Sequence, residues 1–289
     1  MRRDVVIIGA SVGGSTPILE ITRRLPADFP AAVLIVRHVG TQESVLPELI
    51  NLKSAMKASH AVDGERVRHG HIYVAPPDWH LLMDGERLLL SAGPKENYAR
   101  PAINPLFRSA AIAYGVRVIG IILSGTLDDG TAGLKAVKQR GGITIIQSPE
   151  DAQYPSMPLS ARSAVDVDYC LRSVEIAPRL LELVRDEVSV RDTAAPNEKL
   201  EAEVAMDRAG GANIDLMNRI GSRSAFSCPE CGGTLWKMHD ESLDRYRRHT
   251  GHAFSSATSM AMLLAILLTA MTQQRLYSRQ NDPRRSRLR

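Results

Sequence analysis

Unbroken runs of aliphatic residues constrain the fold of this chain more than any other feature. Between residues 5 and 147 they are Val5 to Gly9, Ala31 to Val36, Val116 to Leu123 and Ile143 to Gln147. Continuous rather than alternating apolarity is typical of strands that are buried on both faces of a parallel sheet. Helix-like segments such as Pro17 to Leu25 separate these runs. The sequence therefore predicts an α/β fold with a doubly wound, mainly parallel sheet.

A hairpin signal interrupts this alternation of strands and helices. In the segment HLLMDGERLLL, Asp84-Gly85 separates two strand-like runs, and this dipeptide is a strong indicator of a tight antiparallel turn. We therefore predict an antiparallel hairpin inserted into the parallel fold. A last helix from Val174 to Val188 is expected to close a first domain that covers residues 1–185.

The remainder of the chain divides into three shorter segments. Residues 186–224 mix charges, small residues and the pair Gly210-Gly211, and they predict a linker with one short helix near Glu198 to Met206. Residues 225–253 are predicted to form a small zinc-ribbon-like module, and residues 254–289 a helix and a basic tail. The predicted architecture is thus one α/β domain with a small C-terminal appendage.

Composition and charge exclude several classes of protein. The 44% apolar and 24% charged content is typical of soluble globular domains. The net charge of +4 comes from the tail, because residues 275–289 contain six arginines and one aspartate and leave about −1 for the rest. The body of the chain is therefore not predicted to bind nucleic acid.

Cysteine usage and apolar segments indicate the compartment. Three cysteines, two of them in a Cys-x-x-Cys pair, do not form the dense framework of a secreted disulfide protein. The apolar run after the N-terminus is too short for a signal peptide. The stretch from Ala257 to Met271 is shorter than the ~20 residues of a membrane-spanning helix. We predict a cytoplasmic protein without membrane insertion.

A glycine-flanked serine follows the first predicted strand. Gly9 to Gly13 reads G-x-S-x-G between a strand and a helix, which is the context of a nucleophile elbow that exposes the hydroxyl of Ser11. The same glycines also suit the phosphate-binding turn of a dinucleotide domain, with Arg37 at the ribose phosphate of NADP. The pattern by itself leaves both interpretations open.

Two further polar motifs follow other strands of the predicted sheet. His38 comes directly after the second strand, and Asp128-Asp129 follow the strand that ends at Leu123. Because the carboxyl ends of parallel strands meet at one edge, His38 is a candidate general base beside Ser11. The aspartates have three candidate roles, namely binding Mg²⁺, capping the next helix and orienting a histidine.

Five segments together resemble the catalytic domain of the chemotaxis receptor methylesterase (CheB) family. They are GASVGG, IVRHVG, IYVAPPDWHLL, RPAINPLFRSAA and LSGTLDDGTAGL, and they occur in the family's order and spacing over about residues 4–185. The resemblance implies that Ser11 attacks a glutamyl methyl ester, that His38 accepts its proton and that Asp129 orients the imidazole.

The resemblance also implies the remaining groups of the active site. Val12 and Thr126 stand where the family's backbone N–H donors form an oxyanion hole, and His80 and Met157 stand where residues line the site. The implied substrates are glutamate methyl esters on the cytoplasmic domain of methylated chemoreceptors, with deamidation of glutamines as a related reaction. No organic cofactor is implied for catalysis. A scaffold that binds receptors without catalysis is the remaining alternative.

Typical members of this family begin with a phosphoacceptor receiver domain. Here the first predicted strand begins within a few residues of Met1, so a stand-alone form is expected. Phosphorylation control is then not expected from within this chain, and a receiver protein that acts in trans is a candidate partner.

The segment SCPECGG predicts a zinc-knuckle turn in the C-terminal module. Cys228 and Cys231, together with His249 and His252, supply four candidate ligands for a structural zinc ion. Similar tails of stand-alone relatives carry a cysteine near the position of Arg248. Either His249 replaces that thiolate or the site binds no metal.

Overall fold

The computed structural model describes residues 1–258 and 260, except residues 40, 42, 197, 212, 213, 241 and 242. Most of the predicted apolar segment Ala257 to Met271, and all of the basic tail, lie outside the described residues. Across the described part, none of the helices combines the length and the apolarity that a bilayer crossing requires.

A parallel sheet forms the centre of the molecule. The strands before residue 185 are β1 (Val5–Ala10), β2 (Ala32–Arg37), β3 (Lys57–His60), β4 (His71–Val74), β5 (His80–Asp84), β6 (Arg87–Ser91), β7 (Val118–Ile122), β8 (Ile143–Gln147) and β9 (Tyr169–Leu171). Within the described residues, seven of them pair in the order β3-β4-β2-β1-β7-β8-β9, and each neighbouring pair is parallel. The predicted mainly parallel α/β sheet is confirmed.

Helices cover both faces of this sheet. They are α1 (Ser15–Thr22), α2 (Leu46–Asn51), α3 (Ile103–Tyr114), α4 (Thr131–Gln139), α5 (Ser156–Ala164) and α6 (Ser173–Leu183). Ile8 of β1 belongs to a buried cluster with Ile18 of α1 and Leu180 of α6, whereas the adjacent Ile7 packs in a cluster with Phe107 of α3. Successive residues of a strand point to opposite faces, so β1 must be apolar throughout.

The antiparallel hairpin is present as β5 and β6. Asp84 pairs with Arg87, so the two-residue loop is Gly85-Glu86 and begins one residue later than the dipeptide signal predicts. Gly85 has a φ of +56°, a left-handed conformation that favours glycine at the first position of such a loop.

The segment expected to be a linker is more structured than the sequence indicates. It contains α7 (Glu198–Ala209) and α8 (Ile214–Ile220), and α6 ends at Leu183 rather than Val188. Leu200 and Val204 of α7 are buried in the cluster that contains Phe107. These two residues are four positions apart and therefore lie on one face of the helix, which packs on the α/β domain.

The C-terminal module is a small antiparallel sheet. Its strands are β10 (Gly221–Ser227), β11 (Thr234–Met238), β12 (Arg245–Arg247) and β13 (Ala253–Ser255), paired in that order.

A cluster of six buried charged side chains joins this module to the α/β domain. The loop before α3, α3 itself, α7 and β12 contribute Glu96, Arg108, Glu203, Asp207, Arg245 and Arg247. Arg108 donates to Glu96 at 2.9 Å and to Asp207 at 2.8 Å. Asp207 also accepts from Arg247 at 2.6 Å. One carboxylate of α7 thus bridges an arginine of the domain and an arginine of the module.

Electrostatics keeps these carboxylates ionised despite their burial. Desolvation raises the pKa of Glu203, but the guanidinium groups of Arg245, Arg108 and Arg247 outweigh it and lower the pKa to about 2. Glu96 shows the same balance, with its pKa lowered chiefly by Arg108. Removing one partner would leave an uncompensated buried charge, which is far more costly than losing a surface ion pair.

We expect Glu203→Gln to lower the free energy of unfolding at pH 7 by about 3 kcal/mol, because it removes the carboxylate 2.8 Å from Arg245 and leaves this guanidinium with the longer 3.3 Å contact to Asp240. The pKa of Glu203 is lower in the folded chain than its ordinary 4.5, so its stabilising contribution is complete above pH 4.5 and is lost toward pH 2. Urea unfolding at several pH values measures this. The exposed Glu201→Gln on the same helix is the control, and equal losses in both variants would contradict the prediction.

Candidate active site

Three polar side chains meet at the carboxyl edge of the sheet. Ser11 follows β1, His38 follows β2, and Asp129 lies in the loop after β7. His38 Nδ1 is 3.1 Å from Ser11 Oγ, and His38 Nε2 is 2.8 Å from Asp129 Oδ2. Because β1 pairs with β2 on one side and β7 on the other, this position is the topological switch point where ligands bind in such folds.

The hydrogen bonds define how this imidazole is protonated. An ionised Asp129 carboxylate only accepts, so Nε2 carries the hydrogen that is donated to it. Nδ1 is then the acceptor that faces the hydroxyl of Ser11. The side chain of His38 is 20% exposed and that of Asp129 only 3%, so the histidine is reachable while its carboxylate partner is shielded. The arrangement can move a proton from the serine to the histidine.

Two groups that the sequence motifs do not reveal hold the carboxylate of Asp129. The backbone N–H of Ile103 donates to Oδ2 at 2.7 Å, and the side-chain amide of Asn97 donates to Oδ1 at 3.3 Å. Ile103 is the first residue of α3. Asn97 could have been noticed in the sequence as a polar residue shortly before the segment RPAINPLFRSAA. The sequence gives no indication of the direction in which the amide of Asn97 points.

A family comparison places the domain that contains these three residues. The model of the CheB methylesterase family matches residues 6–180. The chain belongs to the CheB methylesterase family. The resemblance carried by the five sequence segments is therefore confirmed, and the NADP-reductase alternative has no support from this match.

The relatives differ in the fraction of their own length that this chain matches. A protein of Leptospira interrogans is 34% identical over 197 residues, which are 66% of this chain and 100% of that relative. "Protein-glutamate methylesterase/protein-glutamine glutaminase 4" of Geobacter metallireducens is 39% identical over 160 residues, which are 54% of this chain but only 46% of that protein. The crystal structure of the Thermotoga maritima CheB methylesterase catalytic domain matches with a TM-score of 0.62 and 33% identity, over 64% of this chain and all of that domain.

A tight turn carries Ser11, which is only 7% exposed, so this serine is more buried than the predicted nucleophile elbow implies. The backbone N–H of Ser11 donates to the carbonyl of Ser124 at 3.0 Å, and the N–H of Gly14 donates to the carbonyl of Ser11 at 3.0 Å. Gly13 has a φ of +76°, and a residue with a side chain would be strained in this backbone conformation. Helix α1 begins only at Ser15, so the turn lies between the serine and the helix terminus.

The two predicted oxyanion-hole residues have available donors. Val12 and Thr126 are both exposed beside the turn and the β7 loop. Within the part of the chain that the structure describes, neither of their backbone N–H groups donates to a protein acceptor. Both can therefore donate to a bound molecule.

His80 does not join Ser11, His38 and Asp129. It is 4% exposed; its Nε2 is 3.0 Å from the carbonyl of Pro94, and its Nδ1 accepts from the N–H of Ala102. Burial lowers its pKa, which suits a neutral imidazole with one donor and one acceptor. His80 therefore braces the loop before α3, and its role as a residue that lines the site stays a prediction.

Met157 lies directly behind the serine. A Cβ placed on Gly125 would be 2.0 Å from Met157 Sδ and 2.9 Å from Ser11 Cβ, so glycine is required for the close approach of these residues. Met157 is completely buried, and its N–H donates to the carbonyl of Gly125. Met157 and Ser11 thus both lie against Gly125, which places Met157 next to the serine as predicted.

The structure brings together three of the four predicted metal ligands. Cys228, Cys231 and His252 have ligand atoms that all lie within 4.8 Å of one another. His249 is outside this group and stacks edge-on against Trp236 at 5.8 Å between ring centroids.

Arg248 fills the space near this cysteine pair. Its Nη1 is 2.6 Å from Cys231 Sγ. A guanidinium is a donor and not a metal ligand, so this side chain cannot replace the missing thiolate.

Asp128 neither caps a helix by its side chain nor faces solvent. Its Oδ1 accepts hydrogen bonds from Ser255 Oγ and Thr258 Oγ1, each at 2.8 Å. Burial raises the pKa of Asp128, although these two bonds oppose the shift. The first aspartate of the pair therefore contacts the C-terminal segment, and the second contacts the histidine.

We expect Gly125→Ala to lower the free energy of unfolding by about 1–3 kcal/mol, because its methyl group overlaps Met157 and Ser11. Met157→Ala removes the overlapping sulfur but leaves a cavity when it is made alone. The double variant should therefore lose less stability than the two single variants together, which denaturant unfolding of all three can measure. Strictly additive losses would show that Met157 and residue 125 do not touch.

Proposed function

We propose that this chain is a serine hydrolase that demethylates protein-glutamate methyl esters, with Ser11 as nucleophile, His38 as general base and Asp129 as the residue that orients the histidine. The observation that carries the proposal is the continuous pair of hydrogen bonds from Ser11 through His38 to Asp129. A serine hydroxyl is a weak nucleophile unless an adjacent base accepts its proton. Family membership and the names of the relatives agree with this chemistry.

The first half of the reaction forms an acyl-enzyme. Ser11 Oγ attacks the ester carbonyl carbon while its proton moves to His38 Nδ1. The N–H groups of Val12 and Thr126 stabilise the oxyanion of the tetrahedral intermediate. The intermediate then expels methoxide, which leaves as methanol with the proton from His38.

Water completes the reaction and restores the enzyme. His38 accepts a proton from the water molecule, whose oxygen attacks the acyl carbon, and the proton then returns to Ser11 Oγ as the glutamyl carboxyl group is released. The same sequence applied to a glutamine side chain releases ammonia and gives glutamate. Both reactions use only this chain's side chains and water, so no organic cofactor is proposed for catalysis.

The substrate, the location and the regulator of this chain are further proposals. A methylated chemoreceptor cytoplasmic domain is the proposed substrate, because the chain belongs to the CheB methylesterase family, and the name of the Geobacter relative supports a protein-glutamate ester as the reacting group. The cytoplasm is the proposed location, and a receiver protein acting in trans is a proposed regulator.

Variants of the three residues test the mechanism. Ser11→Ala and His38→Ala should each reduce methanol release from methylated receptor fragments by roughly 10⁴-fold or more, and the double variant should be little worse, because the residues act as one unit. Asp129→Asn should also reduce turnover strongly. Mass spectrometry at each glutamate measures the reaction site by site.

Asp128→Asn is the matched control, because Asp128 contacts the C-terminal segment and not His38. Its turnover should be close to that of the parent chain. A folded Ser11→Ala variant that hydrolyses the ester as fast as the parent would overturn the serine mechanism. A parent chain that binds receptor without releasing methanol would favour the scaffold alternative.

A structural zinc ion is proposed for Cys228, Cys231 and His252. Two thiolates and an imidazole are typical zinc donors, and His252 Nδ1 is 3.2 Å from Cys231 Sγ. Glu230 is 2.8 Å from the other ring nitrogen of His252, which is the kind of contact that orients a ligating histidine. These three donors fit zinc and leave the fourth position of a tetrahedral site to water or to a further donor, and zinc would hold the turn around Cys228 to the strand that follows His252.

We expect about one zinc ion per chain, as for a structural site, by elemental analysis of protein prepared without chelator. Cys228→Ser should release the metal because it removes a thiolate ligand. His249→Ala should retain it, since His249 contacts Trp236 instead. Metal-free parent protein, or loss of metal in His249→Ala, would contradict this ligand set.

A further inference from the structure

Asn97 connects the last strand of the C-terminal module to the carboxylate of Asp129. Its backbone N–H donates to the carbonyl of Ala253 at 2.8 Å, and its side-chain Oδ1 accepts from the N–H of Ser255 at 3.0 Å. Its Nδ2 donates to Asp129 Oδ1 at 3.3 Å. One side chain thus bridges β13 and the residue that contacts His38.

The direction of the Asn97 amide follows from its partners. The backbone N–H of Ser255 can only donate, so it must face the carbonyl oxygen of the amide. The Asp129 carboxylate accepts, so it must face the amino group. The strand therefore determines which end of Asn97 points at Asp129.

The loop that carries Asn97 depends on β13 for its conformation. Asn97 and Tyr98 have φ values of +51° and +61°, which are unfavourable for residues other than glycine, although asparagine tolerates them best. The ring of Tyr98 packs on Phe254 of β13 with 4.9 Å between centroids. Contacts with the strand thus offset the backbone strain of this loop.

We propose that Asn97 is a positioning residue of the active site and that β13 holds it there, so that turnover depends on docking of the C-terminal module. The inference rests on the proposed function. Asn97 fixes Oδ1 of Asp129, and the carboxylate plane then directs Oδ2 toward His38. Without this bond, Oδ1 of the buried carboxylate is left unpaired, and the N–H of Ile103 on Oδ2 is left to orient the group.

Asn97→Asp changes the contact with Asp129 but keeps the contact with Ser255. The aspartate keeps an oxygen for the N–H of Ser255, but it replaces the donor that faces Asp129 with a second negative charge. We expect kcat to fall by roughly tenfold to a hundredfold, the range for losing one hydrogen bond to a charged group, with KM little changed. A folding defect would instead reduce the fraction of active protein, which thermal unfolding and active-site titration detect.

Two substitutions of Ser255 test the contribution of the strand. Ser255→Ala and Ser255→Pro both remove the hydroxyl that contacts Asp128, but only proline removes the N–H that orients Asn97. Ser255→Ala should lose far less kcat than Ser255→Pro, and Ser255→Pro should lose as much as Asn97→Asp. Equal kcat values in folded Ser255→Pro and Ser255→Ala would overturn the role of β13.

Labelling by a fluorophosphonate probe distinguishes this inference from the proposed function, because it reports the reactivity of Ser11 without any receptor substrate. Slower labelling of Asn97→Asp than of the parent chain, measured by intact mass, is the expected result. Labelling and kcat equal to those of an active parent would overturn the inference alone. A parent chain that neither labels at Ser11 nor releases methanol would overturn the proposed function and this inference with it.

Discussion

Parallel pairing of β1 with both β2 and β7 is the constraint on which the rest of the site depends. In this register Ala10 pairs with Arg37 and Gly9 with Ile122, so the chain leaves three adjacent strands at nearly the same level. Ser11 and His38 are the next residues of their strands. The register of the two strands therefore brings these side chains together. The sheet that fixes this register is apolar on both faces.

Asp129 needs more than the sheet, because it lies several residues beyond β7 in a loop. Its carboxylate is held by the N-terminal residue of α3 and by Asn97, and Asn97 is itself bonded to β13. The C-terminal module thus contributes to the environment of the histidine, although in the described residues none of its side chains forms a hydrogen bond with Ser11 or His38. A preorganised acceptor of this kind is what a serine hydrolase requires, since reorientation during the reaction would raise its barrier.

The attachment of the module is electrostatic as well as apolar. Asp207 of α7 lies between Arg108 of the α/β domain and Arg247 of β12, and these groups are almost completely buried. Such a network stabilises one relative arrangement only while every partner is present, because each unpaired charge would be costly. The segment that the composition predicts to be a linker contains α7 and therefore forms part of this connection. Charged residues of this segment, which the sequence alone suggests to be solvent-exposed, are paired in the interior.

The parallel sheet, the strand ends that carry Ser11, His38 and Asp129, and the family can all be predicted from the amino-acid sequence, because they depend on local apolar runs and on motifs next to them. The surroundings of those three residues could be described only from the folded chain. His80 braces a loop, His249 stacks on Trp236 away from Cys228, and Asn97 reaches Asp129. The orientation of a polar side chain depends on partners distant in the sequence, such as Asn97 and Ser255, which lie 158 residues apart. Local patterns carry no information about such pairs.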